Sequence, residues 1–181
     1  EAAQPPTLAG RDDLRDIPLI TIDPADARDH DDAVYAQPDP DPGNAGGYVV
    51  WVAIADVAAY VRSGTALDKE AREKSNSVYF PDRVEPMLPE RLSNGLCSLR
   101  EGENRACLAV RMVFDRSGRK KSHRFVRGLM RSAAKLSYEQ AQAAIDGRPD
   151  DVTQTLLKPI LEPLWAAYTC MKIGRDARSP L

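Results

Sequence analysis

The eight-residue apolar run YVVWVAIA at positions 48–55 constrains the fold most. It is the longest uninterrupted apolar stretch in the chain. It falls far short of the roughly 18 residues needed to cross a bilayer. It is rich in β-branched residues and apolar on both faces. That pattern predicts a central strand over residues 47–57, covered from both sides. A chain of 181 residues, 43% hydrophobic and 29% charged, can build one core around such a strand. With aromatics at 6%, that core must be mostly aliphatic. Residues 1–16 form a polar lead-in without an apolar stretch, which excludes a signal peptide at this end. Cys97, Cys107 and Cys170 are odd in number and have no CxxC spacing. They argue against a disulfide scaffold or a thiolate zinc site, and free thiols suit a reducing cytosol. A cytoplasmic protein without a membrane partner is expected.

Residues 17–22 (IPLITI) read as a buried strand that ends at Asp23-Pro24, because proline cannot continue a central ladder. The loop PADARDHDD leads into a second strand over 33–37, and PDPDPGNAGG connects it to the central one. A helix is predicted from Thr65 to about Asn76, with Asp68 placed as in a capping box. Residues 78–103 hold Pro81, Pro86, Pro89, Gly95 and Gly102, and predict an irregular, ordered loop with one helical turn. Strand 108–114, turn 115–118 and strand 119–130 form a hairpin. Ser137 caps a helix to about Asp146. From Val152 onward Leu156, Ile160, Leu164 and Tyr168 recur at helical spacing, with Pro159 and Pro163 interrupting or delaying the helix. The expected class is α+β: a mixed, mainly antiparallel β-sheet flanked by helices.

Charge is unevenly placed. The net is −2, but residues 1–42 carry 11 acids against 3 bases. Their focus is TIDPADARDHDDAV at 21–34. Asp23 emerges at the end of one strand, and Asp29, Asp31 and Asp32 lie where the chain enters the next. Adjacent strands can bring these four carboxylates together, and four anions that close require a cation among them. Hard oxygen donors in that number select Mg²⁺, with Mn²⁺ as a substitute. Two such ions can activate a water and stabilise the leaving oxygen of a phosphodiester. The competing reading is an Asp-rich loop of turn formers and caps. An EF-hand fits poorly, since the required glycine is absent. Asp26 can join the cluster or serve as a solvated turn residue. His30 reads as a loop side chain directed away from the metal, and the only other histidine is His123.

The opposite charge gathers at 111–135, with nine Lys/Arg against Asp115 alone. Such a run suits a polyanion, through phosphate contacts that carry affinity without sequence information. It equally suits a solvated hairpin face. Tyr79 (SVYFPD) and Tyr138 (KLSYEQ) are candidates for stacking on single-stranded bases, or for half-buried packing.

Four segments in this order and spacing carry a family resemblance: DDLRD at 12–16, TIDPADARDHDDAV, WVAIADVAAYV at 51–61, and SVYFPDRVEPMLPERLSNGLCSLREGENR at 77–105. Together they resemble the RNB catalytic domain of the ribonuclease II and ribonuclease R exoribonucleases over residues 11–181, leaving 1–10 as a disordered or lead-in segment. The resemblance implies metal-dependent 3′-to-5′ hydrolysis of single-stranded RNA to nucleoside 5′-monophosphates. By position in the motif, Asp23, Asp29 and Asp32 match the ligands of a Mg²⁺ at the scissile phosphate. Asp31 matches the acid needed for cleavage but not for RNA binding. Tyr79 matches the tyrosine that packs on the 3′-terminal nucleotide, and Tyr138 one that contacts RNA further along. His30 stands where the family usually has a bulky apolar residue, with no loss of metal binding expected.

The family's domain is about twice as long. Its second half supplies a glutamate-bearing helix, an arginine-rich segment and a base-clamping aromatic, none of which occurs in this sequence. The resemblance therefore implies the N-terminal half of the domain at 11–181. It further implies weak Mg²⁺ binding, slow or absent RNA degradation, and self-association through apolar surface left uncovered. The alternative is a non-catalytic RNB-like module that grips RNA or a protein. An Asp-dependent phosphatase would need a strand-end D-x-D, which Asp23-Pro24-Ala25 does not supply.

Overall fold

The computed structural model describes residues 4–178; the first three residues of the lead-in, and residues 179–181 at the other end of the resemblance, lie outside the described residues. In chain order the strands are β1 (Asp12–Asp13), β2 (Ile20–Asp23), β3 (Asp32–Pro38), β4 (Tyr48–Ala55), β5 (Val78–Tyr79), β6 (Val84–Glu85), β7 (Asn104–Phe114), β8 (Lys120–Arg131) and β9 (Ala134–Ser137). The helices are α1 (Ala66–Lys74), α2 (Tyr138–Ile145), α3 (Asp151–Leu156) and α4 (Glu162–Asp176). Seven strands form one sheet in the order β1-β8-β7-β4-β3-β2-β9, and β5-β6 form a separate hairpin. Only the β1–β8 and β2–β9 pairs are parallel, so the sheet is mixed and mainly antiparallel, as the sequence predicts.

The central position of β4 follows from its side chains. Trp51, Ala53 and Ala55 join one core cluster, while Tyr48, Val50 and Val52 join another on the opposite face. β3 divides in the same way, with Ala33 on the first face and Ala36 on the second. This is the period-2 alternation of a strand, with both faces covered. One face is covered by the connection after β4, through Leu67, Leu92, Cys97 and Leu99. The other is covered by α2 and by the helical segment ending in α4, through Ala144, Ile160, Leu161 and Ala167.

Local signals set most element ends. Thr65 caps α1, its hydroxyl accepting from the Asp68 amide, although the Asp68 carboxylate turns to the Gly64 amide. Ser137 and Gln140 complete a capping box at α2. Pro159 falls in a π-helical turn, Leu157–Leu161, and Pro163 falls in the first turn of α4, where no amide donor is required. At the β7–β8 turn, Gly118 has a φ of +72°, and a Cβ there would lie 2.2 Å from the Cys170 carbonyl oxygen. Gly174 opposes it just as closely, so two glycines let α4 seat against the hairpin.

Three expectations change, one being that β7 starts at Asn104 rather than residue 108, its pairing with β8 running back to Arg131. The first strand starts at Ile20 rather than residue 17, because the Ile17 amide is taken by Leu14 and Pro18 has no donor. Residues 78–103 contain the β5–β6 hairpin as well as a π-helical turn at Arg91–Leu96.

Candidate functional site

Asp23 is the last residue of β2 and Asp32 the first of β3, with Pro24 ending the former. The loop between them is tied down along its length. Ala27 donates to the Pro24 carbonyl, and Ala55 of β4 donates to the carbonyl of Asp31. The amide of His30 donates to the Ser98 hydroxyl at 3.0 Å, and the Leu99 amide donates to the His30 carbonyl at 2.8 Å. The acidic motif and the SNGLCSL segment are therefore one structural unit, laced together at His30.

His30 departs from its sequence reading. It is buried, and its Nδ1 lies 2.9 Å from Asp23 Oδ2. The ring faces the carboxylate cluster and fixes the orientation of Asp23. No signal in the sequence distinguishes this from a solvated loop histidine, because the contact depends on how Ser98 and Leu99 pin the backbone.

Asp31 and Asp32 both reach solvent, yet both carboxyls are held above the usual carboxylate range. For Asp31 the larger cause is burial by the surrounding protein, followed by repulsion from Asp29, Asp32 and Asp23; His30 opposes the shift. For Asp32 the causes are burial and then Asp23. Asp31 thus feels the other three carboxylates and Asp32 feels Asp23, and a cation between them would relieve that repulsion. Oxygen donors of this kind fit a hard divalent ion. Among the described residues, no three acidic, histidine or cysteine side chains already converge closely enough to hold one. Asp26 is exposed, as a turn residue would be.

Tyr79 is 71% exposed, which argues against half-buried packing, whereas Tyr138 is 57% exposed and lines an apolar groove between the sheet and α4. Tyr138 opens α2 immediately after Ser137, the strand partner of Asp23, so it stands beside the acidic strand end. Tyr79 sits on the separate β5–β6 hairpin, outside the main sheet.

The basic run splits. Its cations from Arg111 to Arg131 lie on the β7–β8 hairpin, whereas Lys135 lies on β9. In strand order β8 is four positions from β2, about 19 Å at the usual strand spacing. Arg124 pairs with Asp12 and Arg127 with Asp56 on that far side. The solvated-face reading therefore holds for those two, and of this run it is Lys135 that reaches the acidic loop. Cys97, Cys107 and Cys170 are free and buried; burial pushes the Cys97 and Cys107 thiols up to about 11, so they remain protonated at neutral pH. No described helix is long and apolar enough to cross a membrane.

Sheet, loop and covering helices define an α+β domain with an acidic strand-end loop. The RNB domain matches residues 11–179, and the chain belongs to that family. It is 46% identical over 175 residues to ribonuclease R of Vibrio parahaemolyticus, covering 95% of this chain and 20% of that protein. It also resembles Mycoplasma genitalium RNase R in complex with double-stranded RNA, with a TM-score of 0.84 and 34% identity, over 98% of this chain and 31% of that one. The same protein in complex with ribose-methylated single-stranded RNA gives a TM-score of 0.83 and 34% identity, over 97% and 27% of the two chains. The chain thus spans about a fifth of the length of the curated relative it matches.

Proposed function

We infer that this chain contributes the acidic loop of a 3′-to-5′ exoribonuclease that hydrolyses single-stranded RNA to nucleoside 5′-monophosphates. The observation that carries the reading is the placement of Asp23 and Asp32 at the ends of the adjacent strands β2 and β3, with Asp29 and Asp31 in the loop between them, in a chain of the RNB family. Asp23, Asp29 and Asp32 would hold Mg²⁺, or Mn²⁺ in its place. When bound, such an ion polarises the scissile phosphate and favours deprotonation of an attacking water. Asp31 orients that water and accepts its proton. His30 keeps Asp23 in place. Tyr138, beside the strand end, stacks on a base of the incoming strand, and Tyr79 packs on the 3′-terminal one.

Taken alone, the 181-residue chain offers few cations to stabilise charge at the scissile phosphate. Each missing donor of that kind costs about a hundredfold or more in rate. The chain is expected to shorten RNA no faster than about a thousandth of the rate of a full-length ribonuclease R. The test follows 5′-labelled single-stranded RNA with Mg²⁺ or EDTA. Slow loss of single 3′ nucleotides as 5′-monophosphates, abolished by EDTA, is the expected result. Internal cleavage or EDTA-resistant products would count against the reading. A second reading, a non-catalytic module that binds RNA or protein, draws on the lack of three converged ligand side chains among the described residues; it predicts RNA retention with no product at any metal concentration.

Self-association belongs to the same proposal. An apolar groove of about 700 Å³ opens between the sheet, at Ile22, Val34 and Val52, and α4, at Leu164, Trp165 and Tyr168. Trp165 and Tyr168 are exposed aromatics 5.3 Å apart, and no Lys or Arg lines the groove; Tyr138 also lines it, so a second copy seated there competes with a base stacked on Tyr138. Apolar surface of this kind favours a second copy. Light scattering should show the apparent mass rising with concentration, and Trp165→Glu should hold the chain monomeric. A wild-type monomer at high concentration would contradict this.

A further inference from the structure

On the other side of the acidic loop from the apolar groove lies a cavity of about 430 Å³ with a different chemistry. Arg28, Arg100 and Lys135 line it, with one carboxylate, Glu101, and the side of Asn94. These residues come from three separate parts of the chain: the acidic loop, the end of the SNGLCSL segment, and β9. Their donors are largely unspent. Arg28 makes no hydrogen bond or ion pair among the described residues. Arg100 donates to the Asn94 carbonyl and stands 4.0 Å from Glu103. Lys135 Nζ reaches only the Ala27 carbonyl, at 3.4 Å. Glu101 is partly occupied in turn, since it accepts from the Lys135 backbone amide at 3.1 Å.

Three cations facing one engaged carboxylate make a site for an anion with several oxygens. Its position selects the anion. Ala27, Arg28 and His30 alternate along the chain with Asp26, Asp29 and Asp31, so the cavity shares its wall with the acidic loop. We propose that Arg28, Arg100 and Lys135 form a subsite for a backbone phosphate of single-stranded RNA, next to the phosphate held at the acidic loop. This rests on the function proposed above and adds to it the cationic grip that the far-edge hairpin cannot provide at this end of the sheet. It also gives the opposite charges of the loop region separate tasks: carboxylates on one wall for the cation, guanidinium and ammonium groups on the other for the next phosphate.

The test measures RNA binding by fluorescence anisotropy across a range of NaCl, in EDTA so that no strand is cut. Each phosphate released from a single-strand contact removes about 0.7 from the slope of log affinity against log salt. The triple variant R28A/R100Q/K135A should lose about tenfold in affinity and flatten the slope by that amount. Because Lys135 also braces the loop, the double variant R28A/R100Q is measured beside it and should move in the same direction, with an unchanged thermal midpoint. Wild-type affinity and slope in both variants would overturn the subsite while leaving metal-dependent cleavage untouched. Failure of the wild-type chain to bind RNA at all would overturn the subsite and the functional reading together. Inorganic phosphate and a nucleoside 5′-monophosphate serve as competitors. If either displaces RNA from the wild type beyond its contribution to ionic strength, while the variants still bind RNA normally, the cavity takes a free phosphate and the proposal fails.

Discussion

Asp31→Asn is expected to remove the chain's residual Mg²⁺-dependent RNA cleavage by a factor of about 10² to 10⁴, while RNA affinity stays within about twofold of the wild type. The change keeps the shape of the side chain and deletes its charge and its capacity to take a proton. Among the four carboxylates, Asp31 is the one whose charge is opposed by all three others, after the larger effect of burial. Removing that charge should ease the repulsion around the remaining three rather than disrupt the loop, whose Asp31 carbonyl keeps its bond from Ala55. In the proposed function RNA affinity has other sources, among them Tyr138 and the cations near the loop. Gel-resolved products and anisotropy, measured on the same samples, check both halves. Equal cleavage by variant and wild type would remove Asp31 from the chemistry. Loss of RNA binding in step with cleavage would give it a binding role instead.

Asp56→Ala is expected to destabilise the chain by about 3 kcal/mol or more. Asp56 follows β4 and is buried. Its Oδ2 lies 2.8 Å from Arg11 and 3.4 Å from Arg127. The Arg11 side chain is itself only 11% exposed, so removing the carboxylate leaves a guanidinium largely buried without its counter-charge. The pair also anchors the segment leading into β1, whose close approach to β8 requires Gly128 under Leu14. Urea denaturation followed by circular dichroism gives the value. A loss below about 0.5 kcal/mol would place the pair among the exposed ones that contribute little.

Much of the fold is legible in the sequence because its signals are local. The alternation of residues 48–55, the Asp115–Gly118 turn, the Ser137 cap and the Pro159/Pro163 interruption each specify a nearby backbone state, and each element forms where they indicate. What escapes is long-range. Nothing near Ile20 announces that β2 will pair in parallel with residues 134–137, yet that pairing sets Tyr138 beside Asp23. The Asp12–Asp16 stretch is recognisable as a motif, but the Arg11–Asp56 contact beside it spans 45 residues. At the site, the acidic residues are legible by type and spacing. The role of His30 is not, since it follows from hydrogen bonds 68 residues away. The basic run shows the opposite failure: one continuous charge pattern in sequence becomes a far-edge hairpin and a single lysine at the loop once strand order is set.

In the proposed function Asp23, Asp29 and Asp32 form a divalent-cation site. Titrating Mn²⁺ into the 181-residue chain and following free Mn²⁺ by electron paramagnetic resonance tests it without recourse to activity. Saturable, weak binding is expected, displaced by Mg²⁺ and abolished by Asp23→Asn and by Asp32→Asn without unfolding of the chain. No binding by the wild type, or binding that survives both substitutions, would contradict it.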